Sequence, residues 1–481
     1  MFRMKVSQVV AATGATLLAG PEDACVSGVA IDSRKVEKGG VFVAFPGENV
    51  DGNRFAPQAV DSGAGLVVIT ADPADGLLES AEARGCAIVR AAGDDGERFM
   101  LALASAWRDE HPGWLVVGVT GSVGKTTTKD MLAHALATRV RGHATAGNFN
   151  NLIGMPITLL SAPDDAEAVV VEMGMNHPHE IDRLAAVARP AVACVTNVGT
   201  SHIGLLGSRE NIARAKAEIC SGMEGGEAHG AKVGPLLVLT AEDDYSAFIR
   251  DGFASPAGVD CELVGGREGV VRAEGVELGE DGRPSADVVF ADGWRRRVTI
   301  PVPGRQLVCD YLIALAVADA CGCDRDAVVD AVAAMPATHM RLEVVGGAEK
   351  CRVIDDSYNA SPSSMAAALD VLCSMSCEGR RIAVLGEIGE LGDEAQRLHA
   401  LIGAYAAAKP LDMLCLVGTE FVPAMREAAV TMGMSDDRIE CFDTVDDAIR
   451  VMAPVLTPAD LVLAKASRSV GLDLFVKGVL A

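Results

Sequence analysis

The amino-acid sequence predicts an α/β protein of three domains. A chain of 481 residues is longer than one ordinary hydrophobic core requires, so about two to four domains are expected. Apolar runs alternate with helical patterns along most of the chain, which is typical of parallel sheets covered by helices. The predicted domains are a small α/β unit at 1–90, a parallel-sheet unit at 91–335 and a Rossmann-like unit at 336–481.

The predicted strands are short apolar runs bounded by Gly, Pro or Asp. They lie at 29–31, 41–45, 65–69 and 86–89 in the first domain, at 114–119, 168–172, 193–196 and 236–239 in the second, and at 351–354, 381–385, 413–417 and 460–464 in the third. A helix is predicted at 97–109. Residues 258–301 are more polar, and turn signals at Asp281-Gly and Asp292-Gly predict an antiparallel patch attached to the second domain.

A glycine-rich run, TGSVGKTT at 120–127, follows one predicted strand and precedes a helical pattern. Gly121 and Gly124 allow the backbone to curl so that consecutive N–H groups face an anion, and the helix N-terminus adds its positive dipole end. Lys125 can reach the outer phosphates of a nucleoside triphosphate, and Thr126 can offer a hydroxyl to Mg²⁺. Strand, loop and helix in this order predict an ATP site. Val119 stands where the general phosphate-loop pattern has its first glycine.

Composition excludes several functional classes. A formal charge of −24 argues against binding of nucleic acid or of an anionic membrane surface, which would need a basic face. No apolar stretch approaches the roughly 20 residues of a membrane span. The thirteen cysteines are scattered without metal-type spacing, which predicts reduced thiols in a cytoplasmic protein.

Polar residues follow the predicted strands of the second domain, and ligands bind beyond the carboxyl ends of parallel strands. Glu172 can hold Mg²⁺ through a carboxylate oxygen, although a solvated strand-end glutamate is about as common. Asn197 and His202 follow the next strand, and a lone loop histidine is more often structural than a ligand. Lys216 lies in a helical pattern, where an ordinary surface lysine is the default interpretation.

Several further motifs occur in one order along the chain. They are GNFNNLIGMP at 147–156, EMG at 172–174, TNVGTSH at 196–202, AKAEI at 215–219, MRLE at 340–343, IDDSYNASP at 354–362, LGEIGELG at 385–392 and KASR at 465–468. Together with the glycine-rich loop they resemble the Mur ligase family over nearly the whole chain. The segments IDSRKVEKGGVFVAFPG at 31–47 and DGNRF at 51–55 resemble the UDP-sugar-binding domain of that family.

The resemblance implies roles for matched residues. Lys125, Lys216, His202 and Arg341 are implied as catalytic. The ATP-binding residues would be Gly121, Ser122, Val123, Gly124, Lys125, Thr126, Thr127, Asp356 and Asn359. Two Mg²⁺ ions are implied, with Thr126 and Glu172 on one, and His202 and a CO₂-carbamylated Lys216 on the other. The substrate residues would be Ser33 and Arg34 at the UDP end, with Asn150 and Asn151.

The motifs at 356–360 and 389–392 resemble the branch of the family that adds D-alanyl-D-alanine to UDP-N-acetylmuramoyl-tripeptide through an acyl phosphate. This branch makes a pentapeptide precursor of peptidoglycan, and its members are typically monomers. The chain departs from the family pattern at five positions. These are Gln306 for His, Asp310 for Asn, Thr240 for Asn, Ala466 for Gly and Asn53 for His.

Three alternatives remain open at this stage. A sister ligase could add a diamino acid or another residue, or could be of the folylpolyglutamate type. An ATPase doing mechanical or signalling work would hydrolyse ATP without an acceptor, but it leaves the UDP-sugar-like segment unexplained. A non-catalytic paralogue is suggested by Thr240, Gln306 and Ala466, whereas intact Lys125 and Glu172 argue against it.

Overall fold

The structure is a computed structural model that describes residues 2–47, 50–228 and 231–481. The N-terminal part forms a five-stranded sheet of order β2-β7-β6-β5-β4, in which only β2 runs antiparallel to its neighbour, and a separate antiparallel pair, β1 with β3. Its strands are β1 Arg3–Lys5, β2 Thr16–Ala19, β3 Cys25–Ser27, β4 Val29–Ala30, β5 Val41–Val43, β6 Leu66–Ile69 and β7 Ala87–Arg90. Its helices are α1 Val6–Thr13, α2 Ala56–Asp61 and α3 Leu77–Arg84.

The middle of the chain forms a six-stranded, fully parallel sheet of order β15-β14-β11-β8-β10-β9. The strands of this region are β8 Leu115–Thr120, β9 Gly142–Ala144, β10 Ala168–Glu172, β11 Val192–Val195, β12 Gly226–Ala228, β13 Ala231–Val233, β14 Leu236–Thr240, β15 Asp260–Val264, β16 Val271–Leu278, β17 Pro284–Phe290 and β18 Arg295–Thr299. Its helices are α4 Gly96–Asp109, α5 Lys125–Leu136, α6 Gly154–Ser161, α7 Glu180–Ala188, α8 Ile203–Leu206, α9 Arg209–Ala217, α10 Ser246–Ile249, α11 Leu307–Ala320 and α12 Arg325–Ala333.

The C-terminal part is a six-stranded sheet of order β19-β20-β24-β21-β22-β23, parallel except for β19. Its strands are β19 Glu343–Gly346, β20 Arg352–Asp355, β21 Arg381–Gly386, β22 Met413–Val417, β23 Ile439–Phe442 and β24 Leu461–Lys465. Its helices are α13 Pro362–Ser374, α14 Ala395–Ala407, α15 Val422–Thr431, α16 Val445–Met452 and α17 Leu472–Leu480. The predicted fold class, three α/β units around parallel sheets, is confirmed.

The prediction for 258–301 is only partly correct. Strands β16, β17 and β18 do form an antiparallel sheet. Asp260–Val264, however, pairs in parallel with β14 and forms one edge of the central sheet. Its side chains are partly exposed except at Val264, because an edge strand is less fully covered than the interior of a sheet, and this polar pattern resembles an antiparallel strand.

The helices on each face of the central sheet share a hydrophobic core with a neighbouring region. On one face, α4, α6 and α7 pack with apolar residues of the N-terminal part, and the fully buried Phe2 meets Trp107 edge to face at 5.4 Å between ring centroids. On the other face, α5 and α11 share a core with β16–β18 and with one side of the C-terminal sheet. The central sheet therefore lies between the N-terminal and C-terminal parts, and its helix layer on each face shares a core with one of them.

A second contact joins the C-terminal part to the middle region at the turn between β16 and β17. The Ser376 N–H donates to Glu280 O at 2.7 Å. Gly282, at φ 75°, approaches Met375 so closely that a Cβ there would lie 2.8 Å from Met375 Cγ. Within the part of the chain that the structure describes, no helix is both long and apolar enough to cross a membrane.

Candidate active site

The glycine-rich loop connects β8 to α5 at the carboxyl end of the central sheet. Gly121 and Gly124 have φ values of 146° and 89°, a region that side-chain-bearing residues rarely enter. Lys125 is the first residue of α5, and its Nζ donates to Gly121 O at 2.9 Å. The N–H groups of the first helical turn have no intrahelical partner, so the loop presents them to an anion.

Asn197, just beyond β11, holds the loop from the neighbouring strand. Its Oδ1 accepts from the Val123 N–H at 3.1 Å, and its Nδ2 donates to Val123 O at 2.8 Å. The Thr196 hydroxyl also donates to Val123 O, and the Ser122 N–H donates to Asn197 O at 2.9 Å. These bonds fix the loop at Ser122 and Val123 before any ligand arrives. The sequence singled out Asn197 by its position but gave it no role.

Glu172 ends β10 and is 1% exposed. Its Oε1 accepts from Asn150 Nδ2 at 2.8 Å, whereas its Oε2 has no hydrogen-bond partner among the described residues. A buried carboxylate oxygen without a partner is costly unless a cation binds it. Asn150 therefore lies against Glu172, and the free Oε2 of Glu172 is suited to bind a divalent cation. Asn151 instead accepts from the N–H groups of Ile153 and Gly154 at the start of α6.

Lys216 is not the surface lysine that its helical pattern first suggests. It lies in the last turn of α9, 2% exposed. Burial lowers the pKa of its amino group well below the ordinary value; the nearby Lys125 lowers it further, and Asp243 opposes the shift. Burial, aided by Arg341, also lowers the pKa of Lys125, whereas Glu172 raises it. Because these charged groups shift one another's pKa values, Lys125, Glu172, Lys216 and Arg341 lie close together.

His202 precedes α8 in a left-handed conformation, at φ 63°. Its Nδ1 lies 2.6 Å from Oε2 of Glu390, a residue of the C-terminal part. The nearby His202 imidazole holds the pKa of the Glu390 carboxyl below its ordinary value, against the effect of burial. The predicted metal ligand His202 is therefore in contact with another domain, at Glu390, a residue for which the motif alone predicts no role.

Arg341 reaches the site from the C-terminal part, with its guanidinium 4.2 Å from the centroid of the Tyr358 ring. Burial raises the pKa of Tyr358, the nearby Arg341 opposes the shift, and Glu172 contributes to it. Asp356 is 7% exposed and accepts from Lys465 Nζ at 2.6 Å. Lys465 Nζ also donates to the carbonyl of Asn359 at 2.9 Å, so Asp356 and Asn359 share one buried ammonium group.

The predicted UDP-binding residues Ser33 and Arg34 lie in a short 3₁₀ turn between β4 and β5 of the N-terminal part. The Ser33 hydroxyl donates to Gln58 Oε1 at 3.0 Å. Arg34 is exposed and forms two hydrogen bonds to the carboxylate of Asp32. These contacts of Ser33 and Arg34 are all with residues of the N-terminal part.

The side chains that could bind a metal ion beside the loop suit Mg²⁺ better than a metal ion held by protein ligands alone. Among the described residues, no group of three or more His, Cys, Asp or Glu side chains could hold a metal ion. Mg²⁺ is typically bound by one or two carboxylates together with substrate phosphates and waters. Glu172, with its free oxygen, and the partly exposed Thr126 beside the loop fit that mode.

A phosphate loop at the end of a parallel sheet, a buried carboxylate with one free oxygen and an arginine from a second α/β domain define a nucleotide-dependent enzyme of the three-domain ligase type. Family models agree. Mur ligase middle domain matches residues 119–318, Mur ligase, glutamate ligase domain matches 340–468, and Mur ligase family, catalytic domain matches 25–94. The chain belongs to the Mur ligase family.

Individual relatives are similar over nearly the full length. UDP-N-acetylmuramoyl-tripeptide--D-alanyl-D-alanine ligase of Bacillus subtilis is 32% identical over 96% of this chain and 95% of that protein. The Mycobacterium tuberculosis ligase of the same name is 33% identical, covering 100% of this chain and 98% of that protein. The crystal structure of MurF from Acinetobacter baumannii superposes with a TM-score of 0.85 at 28% identity, over 99% of each chain.

Proposed function

We infer that this chain joins D-alanyl-D-alanine to UDP-N-acetylmuramoyl-tripeptide in an ATP-dependent amide ligation. The observation that carries the inference is the cluster of Lys125, Glu172, Lys216 and Arg341 around the phosphate loop. Its support comes from curated relatives that carry that name and align over nearly the whole chain. The product would be a UDP-N-acetylmuramoyl-pentapeptide.

The chemistry follows from the leaving group. A carboxylate does not react with an amine at a useful rate, because the group expelled would be oxide. Transfer of the γ-phosphoryl group of ATP to the tripeptide carboxylate forms an acyl phosphate, from which the dipeptide amine then expels inorganic phosphate. Lys125 and the first-turn N–H groups of α5 hold the phosphates in line, and Arg341 adds positive charge where negative charge develops.

Glu172 and Thr126 would hold Mg²⁺ beside the loop. When bound, the ion neutralises charge on the transferred phosphoryl group. Asn150 holds one oxygen of Glu172 and leaves the other free. Asn150 thus orients the carboxylate, while Asn151 supports the segment by capping α6.

We propose that Lys216 is carbamylated. Its lowered pKa favours the neutral, nucleophilic form of the amine, whose nitrogen can attack the carbon of CO₂, form an N–C bond and lose a proton. The resulting carbamate carries one negative charge shared between two oxygen atoms, which can bind Mg²⁺ as an ammonium group cannot. With His202 it would complete a second metal position.

The remaining assignments follow the same proposal. Ser33 and Arg34 would contact the UDP end of the sugar nucleotide, and Asp356 and Asn359 the nucleoside of ATP. The domain boundaries remain at 1–90, 91–335 and 336–481. We propose a cytoplasmic monomer, and all thirteen cysteines are free thiols, as a reducing compartment requires.

The test is phosphate release from ATP by the purified full chain, with UDP-N-acetylmuramoyl-tripeptide and D-alanyl-D-alanine added singly and together. Release that needs both, with the pentapeptide product in the mass spectrum, supports the proposal. Lys125→Met should abolish release, whereas Lys477→Ala, at a lysine on the surface of α17, should leave it unchanged.

Three outcomes would overturn the proposal, each in a different direction. Release with a free amino acid in place of the dipeptide identifies a sister ligase. Release without any acceptor identifies an ATPase. No release under any combination identifies a non-catalytic paralogue.

A further inference from the structure

Arg341 is carried by a short turn at the start of the C-terminal part. Its two neighbours, Met340 and Leu342, both have left-handed backbones, at φ 59° and 50°, which side-chain-bearing residues adopt at a cost. The Arg341 N–H donates to the carbonyl of Thr338 at 3.1 Å, and the Leu342 N–H donates to Asp356 Oδ1 at 3.3 Å. A backbone of this kind persists only where its surroundings fix it. The contacts that hold the turn therefore determine the position of Arg341.

Thr338 binds this turn to α5, the helix that begins at the phosphate loop. The Thr338 hydroxyl donates to Asp130 Oδ2 at 2.6 Å. A hydrogen bond to a carboxylate is stronger than one between two neutral groups. Asp130 follows Lys125, the first residue of α5, by about 7.5 Å along the helix axis. The helix whose first turn faces the phosphates thus also holds the turn that carries Arg341.

Asp130 is itself fixed by a buried neighbour. Its Oδ1 lies 2.5 Å from Nζ of Lys129, which is 5% exposed. Lys129 Nζ also donates to Thr145 O at 2.9 Å, and the Thr145 hydroxyl accepts from the Glu172 N–H at 2.9 Å. A buried ammonium group is tolerated when it is paired and hydrogen-bonded, so Lys129 holds the Asp130 carboxylate in one place. One polar network therefore joins Thr338 to the strand end that carries Glu172.

We propose that Asp130 and Thr338 are positioning residues. Their hydrogen bond holds the 338–342 turn against α5, so that Arg341 reaches the phosphates bound at the start of the same helix. Docking of the C-terminal domain and placement of its arginine then depend on one side-chain contact with the ATP-binding helix. The proposal rests on the proposed function for its kinetic consequence, whereas the contact itself can be tested without catalysis.

Thr338→Val isolates this contact, since it replaces the hydroxyl with a methyl group of similar size. Asp130→Ala is a poorer test, because it leaves Lys129 buried without its carboxylate partner. Thr338→Ser keeps the hydroxyl and should restore the behaviour of the wild type. His339→Gln changes a neighbouring side chain that is 76% exposed and lies against Glu343. It is the control for substitution within the same turn and should behave as wild type.

Hydrogen–deuterium exchange of the full chain, read by mass spectrometry without substrates, tests the contact. In Thr338→Val the amides of 338–343 should exchange about 10-fold faster than in the wild type, the change expected from losing one hydrogen bond to a charged group. Exchange within α5 should stay at the wild-type rate, because Lys129 still pairs with Asp130. Unchanged exchange at 338–343 overturns the proposal.

The kinetic arm measures kcat and the KM for ATP in the ligation. Thr338→Val should lower kcat about 10- to 100-fold, the usual effect of a small displacement of a group in an active site, with little change in the KM for ATP. Damage to α5 itself would raise that KM, since the phosphate loop leads into this helix. Wild-type kcat, or a fall in kcat matched by a rise in the KM for ATP, overturns the proposal.

A double-mutant cycle asks whether Thr338 acts through Arg341. Added to Arg341→Ala, Thr338→Val should lower kcat little further, because the group that it positions is already absent. Full, multiplying effects of the two substitutions overturn the proposal. Failure of the proposed function would appear differently, as wild-type protein without ligase activity that still shows the exchange difference from Thr338→Val.

Discussion

The carboxyl group of Asp310 lies directly against Gly124 of the phosphate loop. A Cβ added to Gly124 would come within 2.4 Å of Asp310 Oδ2. Asp310 belongs to α11, is 5% exposed, and stands where the family pattern has an asparagine. Burial raises the pKa of its carboxyl to about 8, with the nearby Thr128 side chain opposing the shift. At neutral pH this aspartic acid is mostly uncharged, and it can donate a hydrogen bond as an asparagine does.

The first prediction concerns the pH dependence of ATP binding. Because the folded pKa of Asp310 is raised, its favourable neutral form is complete at low pH and is lost as the pH rises through about 8. The carboxylate formed there repels the triphosphate, so ATP affinity should fall between about pH 7.5 and 9. Titration calorimetry across this range measures the effect.

Asp310→Asn is the matched variant, since it keeps the shape and removes the titration. Its ATP affinity should be less dependent on pH above 8 than that of the wild type. Asp330→Asn, an exposed carboxylate on α12, should behave as wild type. If Asp310→Asn loses affinity with pH as steeply as the wild type, the proton concerned belongs to another group, such as Lys125.

The second prediction concerns Gly124→Ala. The new methyl group would meet the Asp310 carboxyl, and φ 89° is strained for alanine, a cost of about 1–2 kcal/mol before the collision is counted. We expect ATP affinity to fall about tenfold or more, together with a lower melting temperature. Gly113→Ala, where a Cβ meets nothing within 4 Å, is the control. Wild-type ATP affinity in Gly124→Ala would contradict the close packing of loop and α11.

The third prediction concerns Asn197. Asn197→Ala removes both side-chain hydrogen bonds to Val123. Val123 O keeps the Thr196 hydroxyl as a donor, whereas the Val123 N–H is left unsatisfied, at a cost of about 1–3 kcal/mol. The loop should lose its fixed shape, which raises the KM for ATP by roughly 10-fold or more. Asn197→Asp keeps the acceptor but turns the donor into a carboxylate oxygen that faces Val123 O and adds negative charge beside the loop, so its KM for ATP should rise at least as much as that of the alanine variant. Equal KM values for all three proteins would show that the loop is held by other contacts.

The fourth prediction concerns Lys216. With ¹³C-labelled bicarbonate, the wild-type protein should give a carbamate carbon signal that Lys216→Ala lacks and Lys477→Ala keeps. Turnover of Lys216→Ala should fall by at least about 100-fold, since a metal ligand matters more than the residues that orient it. Bicarbonate should not restore it. A Lys216→Ala enzyme with near-normal turnover would remove the residue from the metal site.

Much of the fold and several site residues were predictable because they depend on local sequence. Strand β22 is an unbroken apolar run, and β10 is apolar up to its last residue, Glu172. The predicted limits of both strands match the structure. Glu172 could be predicted as a site residue because it is the last residue of β10, at the carboxyl end of the sheet. Asp260–Val264 was misassigned because the partner of an edge strand is chosen by tertiary packing, and its own polar pattern does not encode that partner.

The site residues whose roles could not be predicted from the sequence depend on contacts between elements that are far apart in the chain. Asp310 was visible only as a departure from a motif, and its contact with Gly124 depends on how α11 packs beneath the loop. Glu390 stood inside a recognised motif, but its partner His202 lies in another domain. The sequence offered Lys216 two interpretations, and burial on α9 decides against the surface one. Such pairings arise from the assembled fold and leave no local pattern.

The turn between β16 and β17 gives the C-terminal domain a second attachment to the middle region. The chain passes from one to the other after α12, at Met335 and Pro336, and Ser376 and Met375 then meet Glu280 and Gly282 at the turn. A motion that separates Glu390 from His202 must therefore either keep this turn contact, and so pivot near it, or break the hydrogen bond from the Ser376 N–H to Glu280 O.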